Sequence, residues 1–411
     1  MKLVSKTALG LALAVGSVTM MAAVPAQAQK KEKPAKAPSL KLSKEFREAM
    51  APVDAALKAG DFAKVVSLTD QVEATATTPD EKYTLNQYRL NAGDKLQDNK
   101  ARAKALDGML STGLVPAAEA GKFQFYLAKF SIEAKDYAKA EAALNAAGAA
   151  GYTSTDLYLT QASLYSSTNR SPQALAVLEK AVQGEKAAGK PVPEDWYKFG
   201  IAQAYKSNSG PAFARWTSMH VQDYPTPENW RSALVNYRDT QKLGSKIELD
   251  LFRLMRATSA LAGEKDHYDY AFIANQQGFP GEAVAALDLL KAKSANVSPA
   301  INELHREASA KVAADKSGLA AEEKRANGMA NGVLAAGTGN ALLGYGEYGR
   351  AAALFRTALT KGGVDNDEVN MRLGIALAMQ GQKEEAKKLF AGIKGQREGL
   401  AQLWTAYCNK A

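Results

Sequence analysis

The stretch that decides the fold is LGIALAMQGQKEEAKKLF at residues 373–390. Gly374 lies twelve residues before Ala386, and Phe390 follows that alanine by four residues. Residues four apart lie on the same face of an α-helix, and a small residue lets a second helix approach closely. The dipeptide Gly381-Gln382 between them is a turn signal. The stretch therefore predicts two antiparallel helices joined by a tight turn.

The same frame recurs along the chain at a nearly constant spacing. The recurring alanines are Ala140, Ala174, Ala212, Ala283, Ala351 and Ala386. The small residues twelve positions earlier are Ala128, Ala162, Gly200, Ala271, Gly339 and Gly374. The large residues four positions later are Leu144, Leu178, Trp216, Leu287, Phe355 and Phe390. The gaps between alanines are 34, 38, 71, 68 and 35 residues, so two of them read as doubled steps. A fixed period in this range is typical of a repeat protein.

This spacing predicts an all-α solenoid of stacked helix-turn-helix units. The small residues are expected where the two helices of a pair cross, and the large ones between neighbouring pairs. Turn signals separate the helices at Lys135-Asp136, Asn169-Arg170-Ser171-Pro172, Asn208-Ser209-Gly210-Pro211, Gly278-Phe279-Pro280-Gly281 and Gly381-Gln382. No stretch shows the sustained two-residue alternation that is typical of strands.

Extending the period predicts about ten units in a single elongated array over residues 45–411. The two doubled gaps, Trp230 to Thr258 and Pro299 to Asn331, are each long enough for one more helix pair. Glu398 to Tyr407 is expected to form one terminal helix that caps the array. The clearest repeats cover 120–225, 264–294 and 332–394.

The frame resembles the tetratricopeptide repeat (TPR). The residues that carry the resemblance are Trp196, Phe199 and Gly200, then Gly346, Tyr348, Ala351, Phe355 and Ala358, then Leu373, Gly374, Gly381, Ala386 and Phe390. The usual tryptophan is replaced by Gln124, Tyr158 and His267 in other units.

The resemblance implies a right-handed superhelix that binds peptides or protein segments on its concave face. The positions that would line that face are Phe125, Lys129, Tyr197, Ile201, Tyr205, Tyr268, Phe272, Asn275, Met371, Ile375 and Met379. Aromatic rings would anchor an extended segment there, and methionines would form an adaptable apolar groove. The alternative is that many of these side chains complete the packing between repeats.

The N-terminus predicts export. Lys2 and Lys6 precede an apolar run at 8–24, and Ala26-Gln27-Ala28 forms an A-x-A site, so residues 1–28 read as a signal peptide cleaved after Ala28. The alternative is a retained membrane anchor, although the run is rich in small residues. No cysteine follows the cleavage site directly, which disfavours a lipid anchor. We therefore predict a periplasmic protein without a transmembrane span after cleavage.

Residues 29–44 form a basic leader rich in lysine and proline, which predicts a disordered segment. It could contact anionic lipid or acidic glycan, or serve only as a linker. Loss of residues 1–28 removes two lysines and no acids, so the net charge falls from +9 to +7. This diffuse charge and the predicted export disfavour nucleic-acid binding.

The sequence predicts no enzyme, no cofactor and no metal site. The three histidines, His220, His267 and His305, lie in different units without the spacing of metal ligands. The glycines between 337 and 349 lack the Gly-Lys-Ser/Thr ending of a phosphate loop. Asp365 to Glu368 reads as a turn with helix-capping carboxylates rather than a calcium loop. Cys408 is the one cysteine, and it is expected to be a packing residue or the site of a disulfide-linked dimer.

Two functions follow from these observations. The first is a non-catalytic periplasmic scaffold or adaptor that binds protein or peptide partners in envelope assembly or export. The second is a glycan-handling component that binds exported polysaccharide or peptidoglycan through aromatic and basic surfaces. An unrecognised enzyme is a third, weaker alternative.

Overall fold

A computed structural model of the chain describes residues 40–409. These residues form 20 α-helices and two short 3-10 helices, and no strand occurs among them. The predicted all-α class of helix-turn-helix units is therefore confirmed. The predicted signal peptide and most of the leader lie outside the described residues. The contacts divide the chain into two compact units, with the boundary between Val192 and Pro193.

The N-terminal unit contains eight helices that pack as four consecutive pairs. They are α1 (Lys44–Lys58), α2 (Phe62–Gln71), α3 (Pro79–Leu96), α4 (Asn99–Ser111), α5 (Ala117–Glu133), α6 (Tyr137–Ala149), α7 (Thr155–Ser167) and α8 (Ser171–Ala187). A 3-10 turn at Glu73–Thr75 lies between α2 and α3. The core of this unit consists of the apolar faces that each pair turns towards the next pair.

Buried hydrogen bonds connect consecutive pairs in this unit. Thr78 and Glu81 form a capping box at the start of α3. The carboxylate of Glu81 also accepts a hydrogen bond from the backbone N–H of Ser43, at 3.0 Å, although 38 residues separate them. The hydrogen bonds from Ser43 and Thr78 hold the pKa of Glu81 well below its usual range. The start of α1 is thereby fixed to the start of α3.

The C-terminal unit contains twelve helices. They are α9 (Glu194–Lys206), α10 (Gly210–Asp223), α11 (Pro227–Thr240), α12 (Ser245–Ala257), α13 (Gly263–Gln276), α14 (Pro280–Lys291), α15 (Pro299–Gly328), α16 (Val333–Gly344), α17 (Tyr348–Lys361), α18 (Asn366–Met379), α19 (Lys383–Gly392) and α20 (Glu398–Asn409). A 3-10 turn at Gly395–Arg397 precedes α20. None of the helices between residues 40 and 409 combines the length and apolar character that crossing a bilayer requires.

The turns inside the hairpins share one backbone geometry. The second residue after the first helix has a left-handed conformation, namely Lys135 (φ 64°), Asn169 (φ 58°), Asn208 (φ 52°), Gly278 (φ 83°) and Gly381 (φ 80°). These are the turns that the sequence predicted. Glycine and asparagine adopt this conformation easily, whereas lysine pays a steric cost for it.

The large residue of a hairpin packs on the small residue of the same hairpin. A Cβ built on Gly374 would lie 2.5 Å from the ring of Phe390, and one on Gly339 would lie 3.0 Å from the ring of Phe355. The approach of Trp216 to Gly200 is closer still. The sequence predicted that these rings lie between neighbouring pairs. Each ring also fills the space that the missing side chain leaves within its own pair, and the ring of Phe390 additionally stacks on Trp404 of α20.

The recurring alanines are buried with one exception. Ala140, Ala174, Ala283, Ala351 and Ala386 have no exposed surface. Ala212 is half-buried and lines a groove on the surface of the C-terminal unit. Ala212 is therefore the one recurring alanine that solvent reaches, because it lies at a surface groove and not inside a hairpin.

One doubled gap contains the predicted helix pair and the other does not. Residues 230–258 contain most of α11 and α12, as expected. Residues 299–328 form the single 30-residue helix α15, so the pair predicted there was wrong. This segment is rich in strong helix formers, and its one interior glycine, Gly318, costs a helix only about 1 kcal/mol. The hydroxyl of Tyr345 donates to Asp315 at 2.6 Å, which holds the middle of α15 against the following pair.

The predicted terminal helix is confirmed as α20, and it does more than cover α19. It also packs along α10, where the hydroxyl of Ser218 donates to the carbonyl of Gln402 at 3.1 Å. The indole N–H of Trp404 donates to the carbonyl of Asp250 on α12 at 3.3 Å. The last helix of the chain thus returns to the first helices of the C-terminal unit. Because this unit closes on itself, α12 and α18 are buried on nearly all sides.

Candidate partner-binding surfaces

In the N-terminal unit, the predicted lining residues are largely covered. Phe125 is buried, and its ring stacks on Tyr152 with the ring centroids 5.1 Å apart. The ammonium group of Lys129 lies 5.7 Å from the centroid of the Phe125 ring. Lys129 itself is half-buried. Phe125 therefore contributes to packing, and Lys129 is the member of this pair that solvent reaches.

In the C-terminal unit, several predicted lining residues lie in the core. Tyr197, Met371 and Ile375 are buried. Met371 and Ile375 lie on α18, whose face is covered by the closure of the unit, whereas the ring of Tyr197 on α9 packs near Trp216 and His220 of α10. The hydroxyl of Tyr197 donates to the carboxylate of Asp223, and burial with this hydrogen bond raises the pKa of the phenol far above its usual range. These side chains act in packing, so a partner could reach them only if helices moved apart.

The accessible members of the predicted set lie on α9 and α13. Tyr205 is 66% exposed and Phe272 is 42% exposed. Ile201, Tyr268 and Met379 are half-buried. The rings of Tyr268 and Phe272 are nearly parallel, at 13°, with centroids 5.9 Å apart. Helix α13 therefore presents an aromatic pair, Tyr268 and Phe272, at the surface.

A polar cluster borders this aromatic pair on α13. The side-chain amide of Asn275 donates to Glu307 on α15 at 3.1 Å. The ammonium of Lys311 lies 2.7 Å from the same carboxylate. The hydrogen bonds from Lys311 and Asn275 lower the pKa of Glu307. Asn275, which the sequence placed in the groove, is thus used to fix α15 against α13.

An open groove of the C-terminal unit lies elsewhere, between α10 and the segment from α19 to α20. Its volume is about 620 Å³. Six of its lining residues are apolar, namely Pro211, Ala212, Met219, Phe390, Ala391 and Ile393. The other six are polar or charged, namely Arg215, Ser218, Lys394, Glu398, Gln402 and Thr405. We call this feature the seam groove, because it lies where the end of the chain meets the start of the C-terminal unit.

Sequence reasoning missed the seam groove because its two walls are nearly 200 residues apart in the chain. A repeat pattern predicts contacts between neighbouring units only. The partial exposure of Ala212 is the one trace of the groove among the repeat positions, and it is visible only in the structure.

A buried ion cluster joins the helices that close the C-terminal unit. Arg253 donates to both oxygens of Glu282, at 2.8 and 2.7 Å, and to Asp250 at 2.9 Å. Arg397, which precedes α20, donates to the other oxygen of Asp250 at 3.1 Å. Arg372 on α18 lies 3.4 Å from Asp250. One aspartate on α12 thereby holds arginines from three separate segments.

Charge compensation explains how this cluster is tolerated in the core. Burial opposes the charge of Arg253, but the carboxylates of Glu282 and Asp250 outweigh it and raise the pKa of the guanidinium. The carboxylate of Glu368 contacts both Arg372 and Arg397. Since each acid here is bound by at least one arginine, the cluster fixes geometry rather than supplying a free acid or base. Charged residues inside the otherwise apolar stretch IELDLFRLM at residues 247–255 were the signal that could have revealed it.

The histidines occupy three unrelated structural positions. His267 is buried, its Nδ1 lies 2.8 Å from the carbonyl of Ala286, and burial lowers its pKa. His220 contacts Glu194 at 2.9 Å, and His305 contacts Asp288 at 2.8 Å. No group of three side chains suited to a metal ion occurs within residues 40–409. Cys408 is buried in α20, where it packs as a small apolar residue.

Comparisons with known proteins give only distant likenesses. No protein-family model matches the chain, and no curated protein does. Among solved structures, it is similar to a tetratricopeptide repeat protein from Parabacteroides merdae, with 12% identity, a TM-score of 0.30, and coverage of 82% of this chain and 100% of that one. It is also similar to the TPR2AB domain of yeast Sti1 in complex with pHSP90, with 12% identity, a TM-score of 0.24, and coverage of 70% of this chain and 99% of that one. A third likeness is to the pentatricopeptide repeat protein PPR10 from maize, with 15% identity, a TM-score of 0.27, and coverage of 89% of this chain and 56% of that one.

Proposed function

We propose that this chain is a non-catalytic periplasmic scaffold that binds a segment of a protein partner in the seam groove. The observation that carries the proposal is the groove itself. Its volume lies in the range of specific binding sites, and half of its lining is apolar with polar groups between. Grooves of this composition bind side chains of a partner by burying them and orient the chain by hydrogen bonds.

The architecture around the groove supports binding rather than catalysis. The walls are held together by the hydrogen bond from Ser218 to Gln402 and by the core below them. The charged groups at the groove, Arg215, Lys394 and Glu398, are partly or fully exposed, as is usual for the rim of an interface. A preformed groove costs little conformational entropy when a partner binds.

Site-specific photocrosslinking tests this proposal. Benzoylphenylalanine is placed at Met219 or at Lys394 in the groove, and at Arg306 on α15 as a matched control, where the side chain is 82% exposed. In an envelope extract of the source organism, the two groove positions should capture the same protein and the control should not. Capture that is equal at all three positions, or that differs between the two groove positions, would contradict the groove as the partner site.

The periplasmic location is tested separately. Cell fractionation should place the protein in the periplasm, and N-terminal sequencing of the mature chain should begin at Gln29. A mature chain that begins at Met1 and sediments with the membrane would support a retained anchor instead.

A glycan-handling role is the second candidate, and the exposed aromatic pair favours it. Flat rings such as those of Phe272 and Tyr268, together with Tyr205, can stack on sugar rings. Retention of the protein on immobilised envelope polysaccharide, lost in the Phe272→Ala variant and kept when the seam groove is blocked, would establish this role. Retention unchanged by Phe272→Ala would exclude the aromatic pair.

A further inference from the structure

The face of α13 that presents the aromatic pair also carries charged groups, and these groups are bonded to one another. Residues three and four apart share a helix face, so this side of α13 contains Lys265, Tyr268, Asp269 and Phe272. The ammonium of Lys265 lies 2.7 Å from Oδ2 of Asp269. A guanidinium nitrogen of Arg238 on α11 lies 3.6 Å from the same oxygen. Both cations on this surface are therefore engaged by one carboxylate.

Two carboxylates on this surface keep unused hydrogen-bond acceptors. Asp269 is 26% exposed, and its second oxygen, Oδ1, accepts no hydrogen bond from any residue that the structure describes. Glu248 on the adjoining helix α12 is half-buried, and within residues 40–409 its carboxylate forms neither a hydrogen bond nor an ion pair. An ionised carboxylate has about four acceptor positions. The surface thus offers oxygen acceptors beside the exposed ring of Phe272.

The surface has no excess of positive charge. Burial raises the pKa of Glu248, and Asp269 adds to this effect, whereas Arg238 and Lys265 oppose it. These four groups are therefore close enough to interact, and their formal charges cancel. Asp239 lies 3.7 Å from Arg238 and adds one further negative charge. An anionic ligand would find both cations already engaged and would meet a second carboxylate.

The groups on this surface match the parts of an uncharged pyranose. The flat ring of Phe272 provides an apolar face for the C–H groups of a sugar ring. Sugar hydroxyls are hydrogen-bond donors, and hydrogen bonds to an ionised carboxylate are stronger than those to a neutral acceptor. The sequence linked glycan binding to basic surfaces, whereas the structure places carboxylates beside the aromatic pair.

We propose that this face of α13 binds uncharged pyranose residues of a glycan. Phe272 and Tyr268 pack against the sugar ring, and Asp269 and Glu248 accept hydrogen bonds from its hydroxyls. The inference rests on the proposed glycan-handling role and specifies the class of glycan. The seam groove contains none of these residues, so the protein-binding proposal is independent of it.

Isothermal titration calorimetry with the full mature chain tests the inference. The neutral probes are cellohexaose and maltohexaose, the acidic probe is hexagalacturonate, and the basic probe is the glucosamine hexamer. Saturable binding of at least one neutral probe is expected, about 10-fold or more tighter than that of hexagalacturonate. Raising the salt concentration should leave the affinity for the neutral probe unchanged, because no ion pair forms.

Two variants locate the contacts. Phe272→Leu keeps an apolar side chain but removes the flat ring, and it should weaken neutral binding about 2- to 10-fold. Glu248→Gln keeps the shape but removes the charged acceptor, and it should weaken binding about 5- to 10-fold. Glu303→Gln on α15 is the matched control, because this carboxylate is 75% exposed and lies outside the surface, and it should bind as the wild type does.

The outcomes separate this inference from the glycan-handling role. Failure of both neutral probes to bind would overturn the inference, whereas the role itself is judged by retention on envelope polysaccharide. Tighter binding of hexagalacturonate or of the glucosamine hexamer than of both neutral probes would also overturn it. So would neutral binding that is unchanged in both Phe272→Leu and Glu248→Gln. Phe272 is exposed, so its variant is expected to fold and keeps the test decisive if Glu248→Gln does not.

Discussion

Replacing Gly200 by alanine is expected to destabilise the C-terminal unit by about 2 kcal/mol. A Cβ at this position would penetrate the ring of Trp216, which is almost fully buried and has no room to retreat. Overpacking of this kind costs about 1–3 kcal/mol, and we take the upper end because ring atoms are met directly. The intrinsic helix preference of alanine over glycine returns about 1 kcal/mol.

A graded series makes the reasoning quantitative. The distance from a built Cβ to the facing ring is 3.0 Å at Gly339 and 2.5 Å at Gly374, and it is shorter at Gly200. The net effect of alanine should therefore rise from near zero at Gly339, through about 1 kcal/mol at Gly374, to about 2 kcal/mol at Gly200. Gly337 on α16 is the control, because its Cβ would meet nothing within 4 Å. Gly337→Ala should stabilise the unit by about 0.5–1 kcal/mol.

Tryptophan fluorescence in urea measures these differences in the right part of the molecule. All four tryptophans, Trp196, Trp216, Trp230 and Trp404, lie in the C-terminal unit. In thermal unfolding followed by the same fluorescence, a loss of about 2 kcal/mol in the free energy of unfolding of a unit of this size lowers its melting temperature by roughly 4–8 °C.

A double-mutant cycle identifies the contact. In a Trp216→Leu background the ring is absent, so Gly200→Ala should become neutral or stabilising. Two results would contradict this reasoning. Gly200→Ala could lower the free energy of unfolding as much in the Trp216→Leu background as in the wild type, or it could stabilise the protein as Gly337→Ala does. In either case the ring contact is not the cause, and the explanation of the recurring small residues is wrong.

Three further predictions concern charge and turn geometry. Asp250→Asn should destabilise the C-terminal unit by about 3 kcal/mol, measured by the same fluorescence assay, because it leaves buried arginines undercompensated. Lys135→Gly should stabilise the N-terminal unit by about 0.5–1 kcal/mol in thermal unfolding followed by circular dichroism, because glycine adopts the left-handed conformation without strain. Hydrogen bonds from Lys198 and His220 lower the pKa of Glu194 from 4.5 to about 2. Because the pKa of Glu194 is lower in the folded than in the unfolded protein, the ionised carboxylate stabilises the fold above pH 4.5, and this stabilisation is lost as the pH falls towards 2. The difference in stability between the wild type and Glu194→Gln should therefore disappear over that pH interval.

Each of these predictions has a result that contradicts it. Wild-type stability of Asp250→Asn would mean that the ion cluster is dispensable. A lower melting temperature for Lys135→Gly would mean that the lysine side chain has a role beyond its backbone conformation. A stability gap at Glu194 that is independent of pH would show that the carboxylate acts by packing rather than by charge.

The local parts of this fold were predictable because neighbouring units determine them. The hairpin around Gly374 and Phe390 follows from spacing alone, since residues four apart share a helix face and a glycine admits a ring. The turns at Asn208 and Gly381 follow from residues that tolerate a left-handed backbone. Burial of His267 follows from its position in the repeat frame.

The parts that depend on distant residues were not predictable. The run at 299–328 satisfies helix propensity throughout, so the sequence contains no signal to choose one long helix over two short ones. Met371 and Ile375 have the correct repeat phase for a groove, but they are buried because the C-terminal unit closes around α18. The seam groove arises from the return of α20 to α10, which no periodic pattern encodes.

The return of α20 to α10 also sets an order of events during folding. Ser218 and Gln402 are 184 residues apart, so their contact forms only after almost the whole unit has been synthesised. Helical hairpins with local contacts form early, whereas contacts of large sequence separation form slowly because the intervening chain loses entropy on closure. Until Trp404 reaches Asp250, the apolar surface that α10 and α12 turn towards α20 stays uncovered. The docking of α20 thus determines how long this apolar surface stays open to aggregation or to a chaperone.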